Sequence, residues 1–294
     1  MLAIARASMR CRVARASAAF CNFGGTMQAI ARWGAFLNQI RERHAQVLTE
    51  TDAALTPVLQ QLAGGGDTAP MSQQLTAALA RLQELESRVE DTWHQKVEAT
   101  FADENIATAV RDAEFDKGRA LRHQLSLNRE LYEPQIWDRL ARAQYAHAQA
   151  TQPPLICSGC RNALSLPLVA RAFTFSCPQC RTAIAYDPSA LMKQMSALGA
   201  HSCAQVAAAN EWRAMRDAAA ALGRQRPPHT LDLIVNYERS QVNYWRSYWG
   251  TRSQFEPERG NVAAEVTASM YQWYTNFAEF ETAWVAAGRP KTAP

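Results

Sequence analysis

The chain has 294 residues, 48% of them hydrophobic and 20% charged, with a formal net charge of +4. That length suits one large or two moderate domains, and the composition is that of an ordinary soluble globular protein. No run approaches about eighteen apolar residues, which excludes a transmembrane helix and sets the expected location as cytoplasmic.

The charge is unevenly spread. Residues 1–26 hold Arg6, Arg10, Arg12 and Arg15 and no acid, and without them 27 bases balance 27 acids. From Glu42 to Pro154, 17 acids face 11 bases; from Leu155 to Arg226, 8 bases face 3 acids.

Residues 1–26 are rich in Arg, Ser and Ala. They read as a transit-like leader or as a start codon placed too early, since Met27 opens a clean helical pattern. They are expected to be disordered and outside the fold, with Cys11 and Cys21 taking no part in metal binding.

Residues 27–152 are expected to form a helical, coiled-coil-like domain. Ile30, Trp33, Leu37, Ile40, His44, Val47, Thr51, Ala54 and Val58 recur three and four residues apart, a heptad seam with polar residues at two positions. Pro57 predicts a helix end or kink near Thr56. Gly64-Gly65-Gly66-Asp67 is a break, and Pro70 precedes a second helix carrying Leu75, Leu79, Leu82, Leu85, Val89, Trp93, Val97 and Phe101. The short connection predicts an antiparallel hairpin. A third helical stretch, about residues 105–132, has Val110, Leu121, Leu125 and Leu131 as anchors. Pro134 is expected to start or kink a fourth, and Gln152-Pro153-Pro154 forms a stiff linker.

Residues 153–188 carry the strongest chemical signal. Cys157 and Cys160 form one Cys-x-x-Cys pair and Cys177 and Cys180 another, with sixteen residues between them. Each pair can sit on one tight turn and grip one edge of a tetrahedral ion. Leu164 to Leu168, Phe173 to Ser176 and Thr182 to Tyr186 read as short strands. Pro178 and Ser158-Gly159 lie inside the turns, where turn formers belong.

This segment resembles a zinc ribbon, over about residues 155–187 only. The resemblance implies one structural Zn²⁺ held by Cys157, Cys160, Cys177 and Cys180. Many ribbons carry Gly just after the second Cys of each turn, whereas Arg161 and Arg181 stand there in this chain. Two disulfides would need an oxidising compartment, and a redox pair would need a helix start in a βαβ setting. Iron would fit the same four sulfurs; zinc is the reading taken. A four-thiolate site is closed and leaves no open position for metal catalysis.

Residues 189–287 are expected to form an aromatic-rich helical domain, followed by a disordered tail over 288–294. Its helices run over 189–222, 231–249 and 262–285. Tyr237, Tyr244, Trp245, Tyr248 and Trp249 are expected to pack against Trp273, Phe277, Phe280 and Trp284. The competing reading pairs these aromatics with Arg239, Arg246 and Arg252 as a single-strand binder. Cys203 is expected to be a buried small hydrophobe. No phosphate loop, nucleophile elbow or paired-histidine helix is present.

The fold class expected is mainly α: long amphipathic helical hairpins with an inserted small β zinc ribbon. The function expected is a non-enzymatic zinc-binding scaffold or protein-protein interaction protein, its helices meeting a protein partner or another copy. The alternatives are a nucleic-acid-binding regulator using Arg161, Arg171 and Arg181, and an enzyme whose site carries no sequence signature.

Overall fold

The computed structural model describes the backbone of residues 2–225 and 229–276 and the side chains of residues 27–225 and 229–272. The fold is mainly α with a small inserted β region. The expectation of disorder over residues 1–26 concerns residues whose side chains lie outside that description. The tail 288–294 and the aromatic side chains from Trp273 onward lie outside it too.

The chain forms two compact units. One comprises Met1–Ala53 and Gln73–Arg129, the other Ala54–Ser72 and Glu130–Pro294. Three long helices, α1 (Leu2–Leu62), α2 (Ala69–Thr92) and α4 (Thr108–Thr151), contribute to both. A π-helical turn at Trp93–Val97 and a short α3 (Glu98–Asp103) lie between α2 and α4.

The core of the first unit is the inward stripe of these helices. Trp33, Leu37, Ile40 and Val47 of α1 meet Leu82, Leu85 and Val89 of α2, and Leu121 and Leu125 of α4. The α1 and α2 stripes therefore pair within the chain. Aromatic rings fill one end: Trp93 lies edge-on to Trp33 at 5.4 Å and to Phe101 at 5.6 Å. Such edge contacts add to what ring burial alone contributes. Gly118 on α4 makes room for the Trp33 indole, because a Cβ there would lie 2.8 Å from its Cζ2. Val110, expected as an anchor, is exposed. Ile106 and Phe101, just before α4, are buried in its place.

One polar cluster lies inside this unit. His44 and Glu86 are both buried, with His44 Nε2 3.9 Å from Glu86 Oε1, and Arg129 Nε donates to the same oxygen at 2.7 Å. Burial disfavours the charge on Glu86, but the hydrogen bond from Arg129 and the nearness of the Arg129 and His44 side chains outweigh it and hold the carboxyl below its ordinary range.

The second unit begins where the α1 seam changes register. The regular spacing predicts Ala54 and Val58 as core, but Leu55, Leu59 and Leu62 are buried and Ala54 is exposed. The step from Val47 through Thr51 to Leu55 inserts an extra four-residue interval, which rotates the stripe. Pro57 does not end α1, which continues to Leu62. Likewise α4 runs unbroken through Pro134. Leu131, Tyr132, Ile136 and Leu140 around Pro134 are all buried, and that packing outweighs the roughly 3 kcal/mol a mid-helix proline costs. The loop after α1 is fixed by side chains: Gln144 Nε2 donates to the Leu62 carbonyl at 3.1 Å and Gln194 Nε2 to that of Gly66 at 2.8 Å. Gly65 and Gly66 take φ values of +95° and +134° there, which other residues rarely adopt.

After the β region, α5 (Ala190–Ala207), α6 (Ala209–Arg224), α7 (Leu231–Arg252) and α8 (Val262–Asn276) complete this unit. The helix expected over 189–222 is thus two helices meeting at Ala208. Gly199 lets α5 approach α4, since a Cβ there would lie 2.5 Å from the Cβ of Ala141. On α7, Tyr237, Tyr244, Tyr248 and Trp249 are buried as core. Arg252 is occupied internally, stacked 5.2 Å from the Trp249 ring centre and donating to Glu256 at 3.0 Å.

Candidate metal centre

The cysteine segment is two small antiparallel hairpins set between α4 and α5. Strand β1 (Leu155–Ile156) pairs with β2 (Ala163–Leu164), and β3 (Phe173–Ser176) pairs with β4 (Ala183–Tyr186). Each hairpin carries one Cys-x-x-Cys turn, and the two turns are built alike. In the first, Arg161 N donates to the Cys157 carbonyl at 2.9 Å and Cys157 N to that of Asn162 at 3.0 Å. In the second, Arg181 N donates to Cys177 at 3.0 Å and Cys177 N to Thr182 at 2.8 Å. Closing the turns this way forces the residue after the second cysteine into the left-handed region. Arg161 and Arg181 take φ of 61° and 64° there, a conformation that a Cβ disfavours.

The turns bring all four sulfurs together. The four Sγ atoms lie within 4.8 Å of one another. Cys157 Sγ is 3.4 Å from Cys180 Sγ, and Cys160 Sγ is 3.8 Å from Cys177 Sγ. A tetrahedral ion with metal–sulfur bonds of about 2.3 Å spaces its sulfurs about 3.8 Å apart. The cluster therefore matches a four-thiolate cage. A disulfide would hold its sulfurs at about 2.05 Å, and all four cysteines are free thiols. Cys157 and Cys177 are fully buried. With Ile184, and packed by Leu155, Leu164 and Phe175, they make a miniature core.

Neighbouring groups shape the cage. Gly159 N donates to Cys157 Sγ at 3.4 Å, and Thr182 Oγ1 lies 3.2 Å from Cys180 Sγ. Only glycine fits at position 159: a Cβ would lie 2.2 Å from Thr182 Oγ1 and 3.3 Å from Cys180 Sγ. Asn162 donates its side-chain amide to Gln179, which ties one turn to the other. Without a metal the Cys160 and Cys180 thiols do not ionise alike. The hydroxyl and backbone amide of Thr182 draw the Cys180 thiol down to about 6. At Cys160 a lowering hydrogen bond from the Asn162 backbone is outweighed by desolvation and the adjacent sulfurs, which push it up to about 12. A divalent cation removes that conflict by stabilising every thiolate at once.

The stretch between the hairpins anchors them to helices. Leu166 and Leu168 pack against a cluster containing Ala141, Ala148, Met192, Met195 and Phe255. Tyr145 on α4 donates its hydroxyl to the Leu166 carbonyl at 2.9 Å, and Arg171 pairs with Glu258. Gln152 and Ser189, just outside the two ends of the segment, are hydrogen-bonded to each other. Ser189 also caps α5, accepting from Met192 N at 3.3 Å.

Of the other sequence candidates, Cys203 is buried in the same helical cluster, and burial pushes its thiol up to about 12. That suits a packing residue rather than a nucleophile. His201 hydrogen-bonds Tyr248 Oη at 2.8 Å through Nδ1 and has no metal-ligating neighbour among the described residues. Sequence reasoning missed Thr182, Gln179 and Tyr145. Thr182 stands two residues after Cys180 and was readable only as the start of a strand. Tyr145 lies 12 residues before Cys157 on another element, with no local signal.

Comparison with known proteins finds no match for this chain among family models, curated proteins or solved structures. Among the described residues, no helix is long and apolar enough to cross a membrane.

Proposed function

We propose that the protein is a non-enzymatic helical scaffold or protein-protein interaction protein, in which a zinc ribbon over residues 155–187 staples α4 to α5. One observation carries this reading: four thiol sulfurs lie within 4.8 Å of one another, with edges near those of a tetrahedral zinc–thiolate cage. Zinc suits the site because it accepts four thiolates tetrahedrally with no redox demand. A cage made wholly of protein sulfurs has no open position for substrate, so its contribution is to folding. The anchoring by Leu166, Leu168 and Tyr145 passes that order to the helices. Free thiols suit a reducing compartment such as the cytoplasm. The helices supply the surfaces for a protein partner or for self-association.

The test is untagged purification followed by elemental analysis and identification of co-purifying proteins. One zinc per chain and a stoichiometric partner are expected. A chain with no bound metal, or Cys157→Ser/Cys177→Ser with unchanged folding and partner binding, would overturn the proposal.

A further inference from the structure

We infer that the turn face of the ribbon docks an acidic segment of a partner protein through Arg161 and Arg181. The inference rests on the proposed metal site, which makes that face rigid. Both arginines occupy left-handed positions, φ 61° and 64°, where glycine would sit without strain. The same charged residue thus stands at the least favourable backbone position of each turn, which folding alone does not call for.

Both arginines are exposed, and neither side chain has a hydrogen bond or ion pair among the described residues. Their basic neighbours differ. Arg171 pairs with Glu258 and Lys193 with Asp187, so acids are present where a cation is settled internally. From Leu155 to Tyr186 the chain has three arginines and no acid. The bond between the Asn162 and Gln179 amides, each next to a turn's last two residues, ties the arginine-bearing tips together.

The surroundings select the partner class. Ile156, the residue before the first turn, is 55% exposed. It offers an apolar contact that a phosphodiester backbone has no use for. A nucleic-acid footprint needs a broad basic surface making several phosphate contacts. Here the ribbon offers two guanidinium groups without a partner among the described residues, and its third arginine, Arg171, is paired with Glu258. Guanidinium groups grip carboxylates in bidentate pairs. The ligand class these groups favour is an acidic protein segment that also carries an apolar side chain.

The test uses the zinc-loaded full chain and a fluorescein-labelled peptide of alternating glutamate and leucine, followed by anisotropy. The variant is Arg161→Gly/Arg181→Gly, which removes both charges while relieving the left-handed strain, so the ribbon keeps its fold. Saturable binding is expected, weakened about tenfold or more in the variant and weakened again as salt rises from about 50 to about 300 mM. Metal content and circular dichroism of both proteins are read on the same samples. Loaded wild-type protein that fails to bind the peptide, or a loaded variant that binds equally well, overturns the docking inference and leaves the metal reading standing. Protein without metal overturns the metal reading and this inference with it. Tighter, arginine-dependent binding of labelled single-stranded DNA overturns the partner class. Salt-sensitive self-association lost in the variant reassigns the face to a second copy and equally overturns it.

Discussion

Single residues decide whether the cysteine cage closes. Gly159 is the clearest case, because the β-branched Thr182 side chain, itself stiff, occupies the space a Cβ would need. Gly159→Ala should lower metal affinity by about tenfold or more, measured by competition with a chromophoric chelator, with little change in the helical circular dichroism. Gly118 plays the corresponding role in the first unit. Gly118→Ala drives a methyl toward the Trp33 indole and should destabilise by about 1–3 kcal/mol in denaturant melts. Glu86 sets a pH dependence. Its carboxyl is held below the ordinary range when folded, so it contributes stability above its unfolded pKa of about 4.3, which is lost as pH falls through the lower folded value. Thermal melts of the wild type should show this acid limb, and Glu86→Gln should flatten it. His44 was visible in the sequence as a polar residue in an apolar seam. Its partners were not, because Glu86 and Arg129 lie 42 and 85 positions further along the chain.

At the scale of elements, the two hairpins share a small buried cluster of Cys157, Cys177 and Ile184, so under the proposed metal reading their folding should depend on the ion. Chelation should abolish the protection of amides in β3 and β4 against hydrogen exchange, and zinc should restore it. Binding should release protons and weaken as pH falls, because the ligands must be thiolates. The anchor to α4 is a separate element. Tyr145→Phe removes the donor to the Leu166 carbonyl and should cost about 0.5–1.5 kcal/mol of stability, with metal stoichiometry unchanged. Helix positions and stripes were legible from periodicity, since burial on one face repeats every three or four residues. Pro57 and Pro134 were legible as helix boundaries or kinks, but sequence did not choose between the two; the apolar side chains buried on the turns flanking each proline keep both helices continuous.

At the scale of the molecule, the chain divides into two compact units, and α1, α2 and α4 each contribute to both. The first has its own aromatic and aliphatic core. Metal removal should therefore leave exchange at Leu37, Leu82 and Leu121 unchanged while it alters residues 155–186, a contrast that mass-resolved hydrogen exchange reads directly. The point where the α1 seam changes register, between Val47 and Leu55, falls at the division after Ala53. Ordinary spacing rules carry a seam forward in one register. They miss the four-residue step because it shows only when the burial of Leu55, Leu59 and Leu62 is known.

The sequence by itself determined the helical class and the four candidate cysteines, because helical periodicity and Cys-x-x-Cys spacing are local properties of the chain. Only the tertiary structure decided the rest. The closure of the sulfurs to within one ion's reach, the left-handed placement of Arg161 and Arg181, the buried pairing of His44 with Glu86 and the seating of Leu166 under Tyr145 all join residues distant in sequence or depend on how a turn closes. Their energies come from burial and hydrogen bonds that exist only once the chain is folded.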